Sequence, residues 1–169
     1  MIPTWNGLAL LRRFLPSVLT AANRYARVYG ARVEVLIVDD GSSDDSRQWL
    51  LDYGFADSSA LTPRKQAGAL PQVAESHLPT KPGELPITLK LVTSEVNRGF
   101  GETCNRGIAA ASQPLVFLLN NDVEVDEDAI APLVENFKDE LVFAAHCRVF
   151  DLETGREVGV GKVGGFSRG

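Results

Sequence analysis

No apolar run in this chain approaches the roughly 20 residues that a membrane-crossing helix needs. No secretory signal pattern is visible either, since Met1 runs straight into Ile-Pro-Thr-Trp. Cysteine is scarce. Cys104 and Cys147 lie far apart and lack metal-ligand spacing, which excludes a disulfide framework and points to a reduced, cytoplasmic setting. The two histidines, His77 in the Pro-rich stretch and His146 in an expected strand, suggest no catalytic triad and read as structural or solvated. Basic charge is not in excess: 17 Lys and Arg stand against 22 Asp and Glu, net −5. Clustered cations for nucleic-acid phosphates are therefore absent. There is no internal repeat. What remains is ordinary for a globular protein: 169 residues, 44% hydrophobic and 23% charged, the size and make-up of a single domain.

Along the chain, residues 1–7 read as the end of an extended segment followed by a loop, because Pro3 and Gly7 exclude a helix. Leu8, Leu11, Leu15, Val18, Leu19, Ala22 and Ala26 recur at helical spacing and predict a helix over Leu8–Tyr29, closed by Gly30 and kinked near Pro16. Val33–Val38 is a continuous β-branched run, the mark of a parallel strand covered on both faces. A short helix, capped by Ser43 or Asp44, should reach Tyr53. Residues 54–86 carry Pro63, Pro71, Pro79, Pro82 and Pro86 and no period, which predicts a flexible insertion. Further strands are expected at Ile87–Thr93, Leu115–Leu119 and Leu141–Phe150. Helices are expected at Glu102–Ala111 and Asp126–Phe137, and a hairpin turn at Asp151–Gly155. Strands alternating with helices give an α/β fold with a mostly parallel sheet, whose ligands sit outside the carboxyl ends of the strands.

Polar clusters follow three of these strands. Asp39-Asp40 can accept hydrogen bonds from a nucleobase or ribose. They can equally shape an Asp-Gly-Ser turn. Asn120-Asn121-Asp122 offers Asp122 as an oxygen ligand for Mg²⁺ or Mn²⁺ beside a substrate phosphate. Asn97-Arg98-Gly99-Phe100-Gly101 enters a helix whose free N–H groups suit an anion. That segment also supports a rival. Gly99-Phe100-Gly101-Glu102-Thr103-Cys104 is a G-x-G-x-x-C variant of the dinucleotide fingerprint, with Asp122 about 20 residues on. A second rival, a phosphoryl-accepting receiver domain, would use the acidic pair for Mg²⁺ but needs a further Asp where the Pro-rich segment lies. Cys104, on a small-residue helix, reads as core. Trp5 and Trp49 read as packing residues, although Trp5 sits in a loop at the candidate site.

The order Ile2-Pro3-Thr4-Trp5-Asn6-Gly7, Val38-Asp39-Asp40-Gly41-Ser42-Ser43-Asp44, Asn97 to Gly101 with Asn105-Arg106-Gly107-Ile108, and Leu118-Leu119-Asn120-Asn121-Asp122 resembles the inverting family 2 glycosyltransferases of GT-A fold. The Asn-Asn-Asp form is similar to their rhamnosyltransferase-like branch, which builds surface polysaccharides. The resemblance implies a GT-A, Rossmann-like nucleotide-binding half. It implies a nucleotide diphosphate-sugar donor, a glycan or lipid-linked acceptor, a divalent metal (Mg²⁺ or Mn²⁺), and a place in the cytoplasm at the inner face of the membrane. By position it assigns Pro3, Thr4 and Asn6 to the loop touching the nucleobase and donor, and Asp39 and Asp40 to base and ribose. Asn97, Gly99, Gly101 and Asn105 fall beside the diphosphate and sugar. Asn121 falls in the D-x-D-type motif, and Asp122 becomes the metal ligand. It further implies a first strand ahead of Ile2 and a catalytic base beyond Gly169, so that the chain looks like the donor half of a longer enzyme. A non-catalytic remnant of such an enzyme is the other outcome open at this point.

Overall fold

The computed structural model describes residues 1–57, 76–77 and 87–158. They fall into two compact units, residues 1–131 and 132–169.

The first unit is built on a sheet. Strands β1 (Ile2–Thr4), β2 (Glu34–Asp39), β3 (Ala56–Asp57), β4 (Ser76–His77) and β5 (Thr88–Thr93) assemble in the order β1-β2-β5-β3. Those four are parallel, and β4 pairs antiparallel to β5. Helices α1 (Leu8–Tyr29), α2 (Ser46–Tyr53) and α3 (Phe100–Ala110) belong to this unit. The expected α/β class with a mostly parallel sheet is the one observed.

Strand alternation explains how the sheet is covered. From β2, Val35 and Ile37 join Leu11, Leu15, Leu19 and Ala22 of α1, with Leu89 and Leu91 of β5, in one apolar cluster. The intervening Leu36 and Val38 join Val92 of β5 and Cys104 of α3 in a second cluster. A run apolar at every position thus serves two cores, as the sequence pattern predicts. Gly107 lets α3 lie close: a Cβ there would sit 2.7 Å from the Met1 sulfur and 2.9 Å from Val38 Cγ2. Gly107 thus lies where the helix touches the sheet, which accounts for a glycine in mid-helix. Lys90 breaks the apolar pattern. It is only 1% exposed, its Nζ lies 2.6 Å from Glu34, and it donates to Ser112 Oγ at 2.9 Å. A buried cation is tolerated only with such partners. The sequence ITLKLVT signalled the strand but not this pairing.

Several expectations change. Ile2–Thr4, read as the end of an extended segment, forms a strand in register with Ile37 to Asp39. Leu115–Leu119 is not a regular strand. It runs extended beside β1, with Met1 N–H donating to Phe117 O at 2.8 Å and Leu119 N–H to Met1 O at 3.0 Å. These two bonds are the start of a parallel ladder. The next rung would need an N–H from Pro3, which has none. Leu115, Val116 and Leu118 are accordingly exposed rather than fully buried. Helix α3 begins at Phe100 instead of Glu102. The helix expected at Asp126–Phe137 shortens to α4 (Ile130–Glu135) and a 3₁₀ turn at Asn136–Lys138.

Within the 54–86 segment, Ala56–Asp57 and Ser76–His77 pair with β5, and Phe55 is core. Residues 58–75 and 78–86, with all five prolines of that segment, lie outside the described residues, as does the His77 side chain. In the second unit, Leu141–Phe150 is not a strand; one antiparallel bridge links Phe150 to Glu157. The turn between them is the expected one, with Asp151 O accepting from Gly155 at 2.8 Å and Gly155 left-handed at φ 65°.

Candidate functional site

One open cleft of about 380 Å³ lies at the carboxyl ends of β1, β2 and β5. Its lining comes from four stretches: Pro3, Thr4 and Trp5 after β1, Asp40 after β2, residues 97–103 leading into α3, and residues 120–122 after the segment beside β1. Parallel strands bring successive loops to the same edge, which is why residues so distant in sequence meet there.

Each loop is held by polar side chains. Asn6, at φ 47°, accepts at Oδ1 from Ser43 N–H at 2.8 Å, and its own N–H donates to Ser42 Oγ at 2.8 Å. This staples the loop after β1 to the loop after β2. Asp44 accepts from Leu8 N–H at 3.1 Å and Ser46 N–H at 3.0 Å, so one carboxylate serves the first residue of both α1 and α2. Neither expected residue, Ser43 nor Asp44, is the N-cap of α2: that position is Asp45, which makes no side-chain cap bond, and Asp44 reaches Ser46 N–H from the residue before it. Burial pushes its acid strength the other way, but the donors from Ser46 and Leu8 outweigh it and hold the carboxyl below its ordinary value.

The acid pair splits. Asp39 is 2% exposed and accepts from Ser42 through both its N–H, at 3.2 Å, and its hydroxyl. Burial raises its pKa, against the lowering by the Ser42 bonds. Asp39 is not in the cleft lining. Asp40 is 4% exposed and does line the cleft, yet both its oxygens are occupied: Oδ1 accepts from Arg98 N–H at 2.9 Å and Oδ2 from Gly99 N–H at 2.8 Å.

The 120–122 stretch is different. Asn121 Nδ2 donates to Thr4 Oγ1 at 2.9 Å and ties this stretch to β1. Asp122 is exposed and takes no hydrogen bond from the described residues. No group of three or more His, Cys, Asp or Glu able to hold a metal occurs among the described residues. A lone free carboxylate nevertheless fits Mg²⁺ or Mn²⁺, which bind through one or two carboxylates plus substrate phosphates.

Of the residues expected at the site, Pro3, Thr4, Asp40, Asn97, Gly99, Asn121 and Asp122 share the cleft. Asn6, Asp39, Gly101 and Asn105 do not line it; Asn6 and Asp39 hold loops, and Gly101 and Asn105 are exposed on α3. The cleft adds Trp5, Phe100, Thr103 and Asn120. Trp5 and Phe100 are 57% and 61% exposed, large aromatic surface left open at a polar cleft. Trp5 is therefore not a packing residue. Its signal was present in its position between Thr4 and Asn6, both inside a motif.

The family model for glycosyl transferase family 2 matches residues 1–59 and 69–162. The chain belongs to glycosyl transferase family 2. The mixed α/β architecture with its parallel sheet agrees with the GT-A, Rossmann-like fold of such transferases. Among curated proteins it is similar to two poly-beta-1,6-N-acetyl-D-glucosamine synthase sequences of Staphylococcus epidermidis. They are 29% and 28% identical over 105 residues, 62% of this chain. The match spans 18% of the length of each relative. No solved structure matches the chain. No helix of this family 2 chain, among the described residues, is long and apolar enough to cross a membrane.

Proposed function

We propose that this chain forms the donor-binding part of a glycosyltransferase that moves a sugar from a nucleotide diphosphate-sugar to an acceptor hydroxyl during polysaccharide synthesis. The observation that carries the reading is the single cleft into which four motif-bearing stretches converge, with Asp122 free at its edge. Trp5 offers a flat ring against which a nucleobase stacks. Thr4, Asn97 and Asn120 supply hydroxyl and amide groups for ribose and sugar. Asp122 would hold Mg²⁺ or Mn²⁺ together with the donor's phosphate oxygens, and the metal when bound offsets charge on the departing diphosphate.

The dinucleotide reading is disfavoured on physical grounds. It needs N–H groups at the Gly99 turn aimed at a pyrophosphate. Those of Arg98 and Gly99 are spent on Asp40.

Calorimetric titration tests the proposal. UDP should bind with Mn²⁺ more tightly than without it, and NAD should bind weakly or not at all. Tight NAD binding, or no nucleoside diphosphate binding at millimolar concentration, would overturn it. The same titration with UDP-N-acetylglucosamine and dTDP-rhamnose separates a donor like that implied by the relatives' name from the rhamnosyltransferase-like branch.

A further inference from the structure

Arginine is concentrated where acid is missing. Residues 1–33 hold Arg12, Arg13, Arg24, Arg27 and Arg32 and no Asp or Glu, while the rest of the chain sets 12 cations against 22 acids. Four of the five lie on α1. Arg12, Pro16, Thr20, Asn23 and Arg27 recur at helical spacing on the side away from the sheet, and all are exposed, with exposed Arg13 beside them. Arg24 is neutralised: its Nε lies 2.6 Å from Asp128 and its Nη1 4.0 Å from Glu127. Arg12, Arg13, Arg27 and Arg32 have no ion pair among the described residues. The Arg12 guanidinium lies over the Trp49 ring at 6.0 Å and that of Arg13 over Phe14 at 4.8 Å. Stacking of this kind leaves the N–H edge free for an oxyanion. Val28 and Tyr29, next to Arg27, are also exposed. No residue of α1 lines the cleft.

We propose that the outer face of α1 docks the protein on an anionic lipid surface, with Arg12, Arg13 and Arg27 on the headgroup phosphates. The charges fit such a surface. Arg12 and Arg27 stand about 22 Å apart along the helix, so the stripe reaches several headgroups at once. Each cation held near an anionic bilayer strengthens binding about fivefold, and it does so without inserting. Insertion is not open to α1, because its apolar side is taken up by the sheet. Only its C-terminal end adds apolar contact, through Val28 and Tyr29, residue types that suit the headgroup boundary. The acidic remainder of the chain is repelled by the same surface, which fixes the face presented. A nucleic acid fits less well: the pI is about 5.1, and phosphates reaching past the stripe would meet an acidic protein. The dock does not involve the donor cleft, so the two readings stand or fall separately.

Flotation with lipid vesicles tests the dock. The probes are vesicles of phosphatidylglycerol and phosphatidylcholine in equal parts, with phosphatidylcholine alone as the neutral control. At about 0.05 M NaCl the protein should float with the charged vesicles and not with the neutral ones. At about 0.5 M NaCl, where the Debye length falls to roughly 4 Å, binding should drop at least about tenfold. The triple variant Arg12→Gln, Arg13→Gln, Arg27→Gln should bind the charged vesicles about a hundredfold more weakly. The triple variant Arg47→Gln, Lys138→Gln, Arg156→Gln, which removes the same charge from other elements, should weaken binding less than about threefold. Equal binding to neutral vesicles, no binding to either, equal loss in both variants, or tighter binding to a DNA duplex than to charged vesicles at equal phosphate would overturn the proposal. If the α1 variant does not fold, footprinting of the wild type decides it. Charged vesicles should protect Arg12, Arg13 and Arg27 from phenylglyoxal and leave the exposed Arg98 and Arg156 reactive; α1 arginines that stay reactive refute the dock. A chain that binds no UDP refutes the donor reading instead, and the vesicle measurement still decides the dock.

Discussion

The ends of β2 and of the extended segment beside β1 each bring an acid, Asp40 and Asp122, to the same cleft, but the two acids differ in their partners. After β2, Asp39 is turned onto Ser42 and Asp40 onto Arg98 and Gly99, with both carboxylates nearly buried. After Leu119, Asn121 is tied to Thr4 while Asp122 stands exposed with both oxygens free among the described residues. One acidic end is bonded into the loops; the other is left open to solvent. An acid at a strand end is therefore not evidence of a ligand until its partners are counted. Asp40 accepts one bond at each oxygen, and Asp122 accepts none from the described residues.

This contrast can be broken at its strongest point first. Gly41 sits at φ 74°, and a Cβ there would lie 2.6 Å from the Val96 backbone carbonyl carbon. Gly41→Ala combines left-handed strain with a backbone clash, so it should cost about 2 kcal/mol or more. Denaturant unfolding measures it. A loss below about 0.5 kcal/mol would mean that the two loops are not packed as described.

Asp122→Ala is the opposite case. With no bond to lose, its stability should change by less than about 0.5 kcal/mol. Its UDP affinity in the presence of Mn²⁺ should fall about tenfold, to the level seen without metal. Calorimetry with and without Mn²⁺ reads this directly. Full retention of the metal effect would remove Asp122 from the site and erase the contrast.

A subtler probe is pH, because Asp39 and Asp44 depart from the ordinary value in opposite senses. Burial chiefly raises Asp39, so its folded pKa exceeds its unfolded one. Its contribution to stability is then present below the unfolded pKa of about 3.9 and is lost as pH rises through the folded value. Asp44 is lowered: burial works against this, but the bonds from Ser46 and Leu8 prevail. Its contribution is present above the unfolded pKa and is lost as pH falls through the folded value. In urea melts at several pH values, Asp39→Asn should therefore gain on the wild type as pH rises from about 4 toward neutrality. Asp44→Asn should instead lose ground on the wild type as pH rises toward about 4 from below, and change little beyond about 5. Parallel pH profiles for the two variants would contradict the assigned environments.

Much of the fold was legible in the chain because its elements are governed by local pattern. The Leu8–Tyr29 helix, with Gly30 after it, matches its predicted bounds, since a long apolar period and a left-handed glycine leave little choice. The cores of β2 and β5 were equally plain. Leu115–Leu119 was misread because its composition is that of a buried strand, whereas its ladder depends on a partner residue that happens to be proline. Leu141–Phe150 was misread likewise, as apolar content with a single bridge, Phe150 to Glu157, among the described residues. The site was half legible. Motif order identified Thr4, Asn97, Asn121 and Asp122 and put Trp5 in the same loop, but that Trp5 and Phe100 stand open at the cleft was visible only once their exposure was known.

By itself, then, the sequence determined the alternation of helix and strand, the doubly covered sheet and the strand ends that meet at one edge. Periodicity and turn chemistry act over a few residues and are written in order along the chain. Only tertiary structure decided which acids are consumed and which are free. A carboxylate's role depends on the donors within about 3 Å of it. For Asp40 those donors lie on another loop almost 60 residues away. For Asp122 none arrives from the described residues.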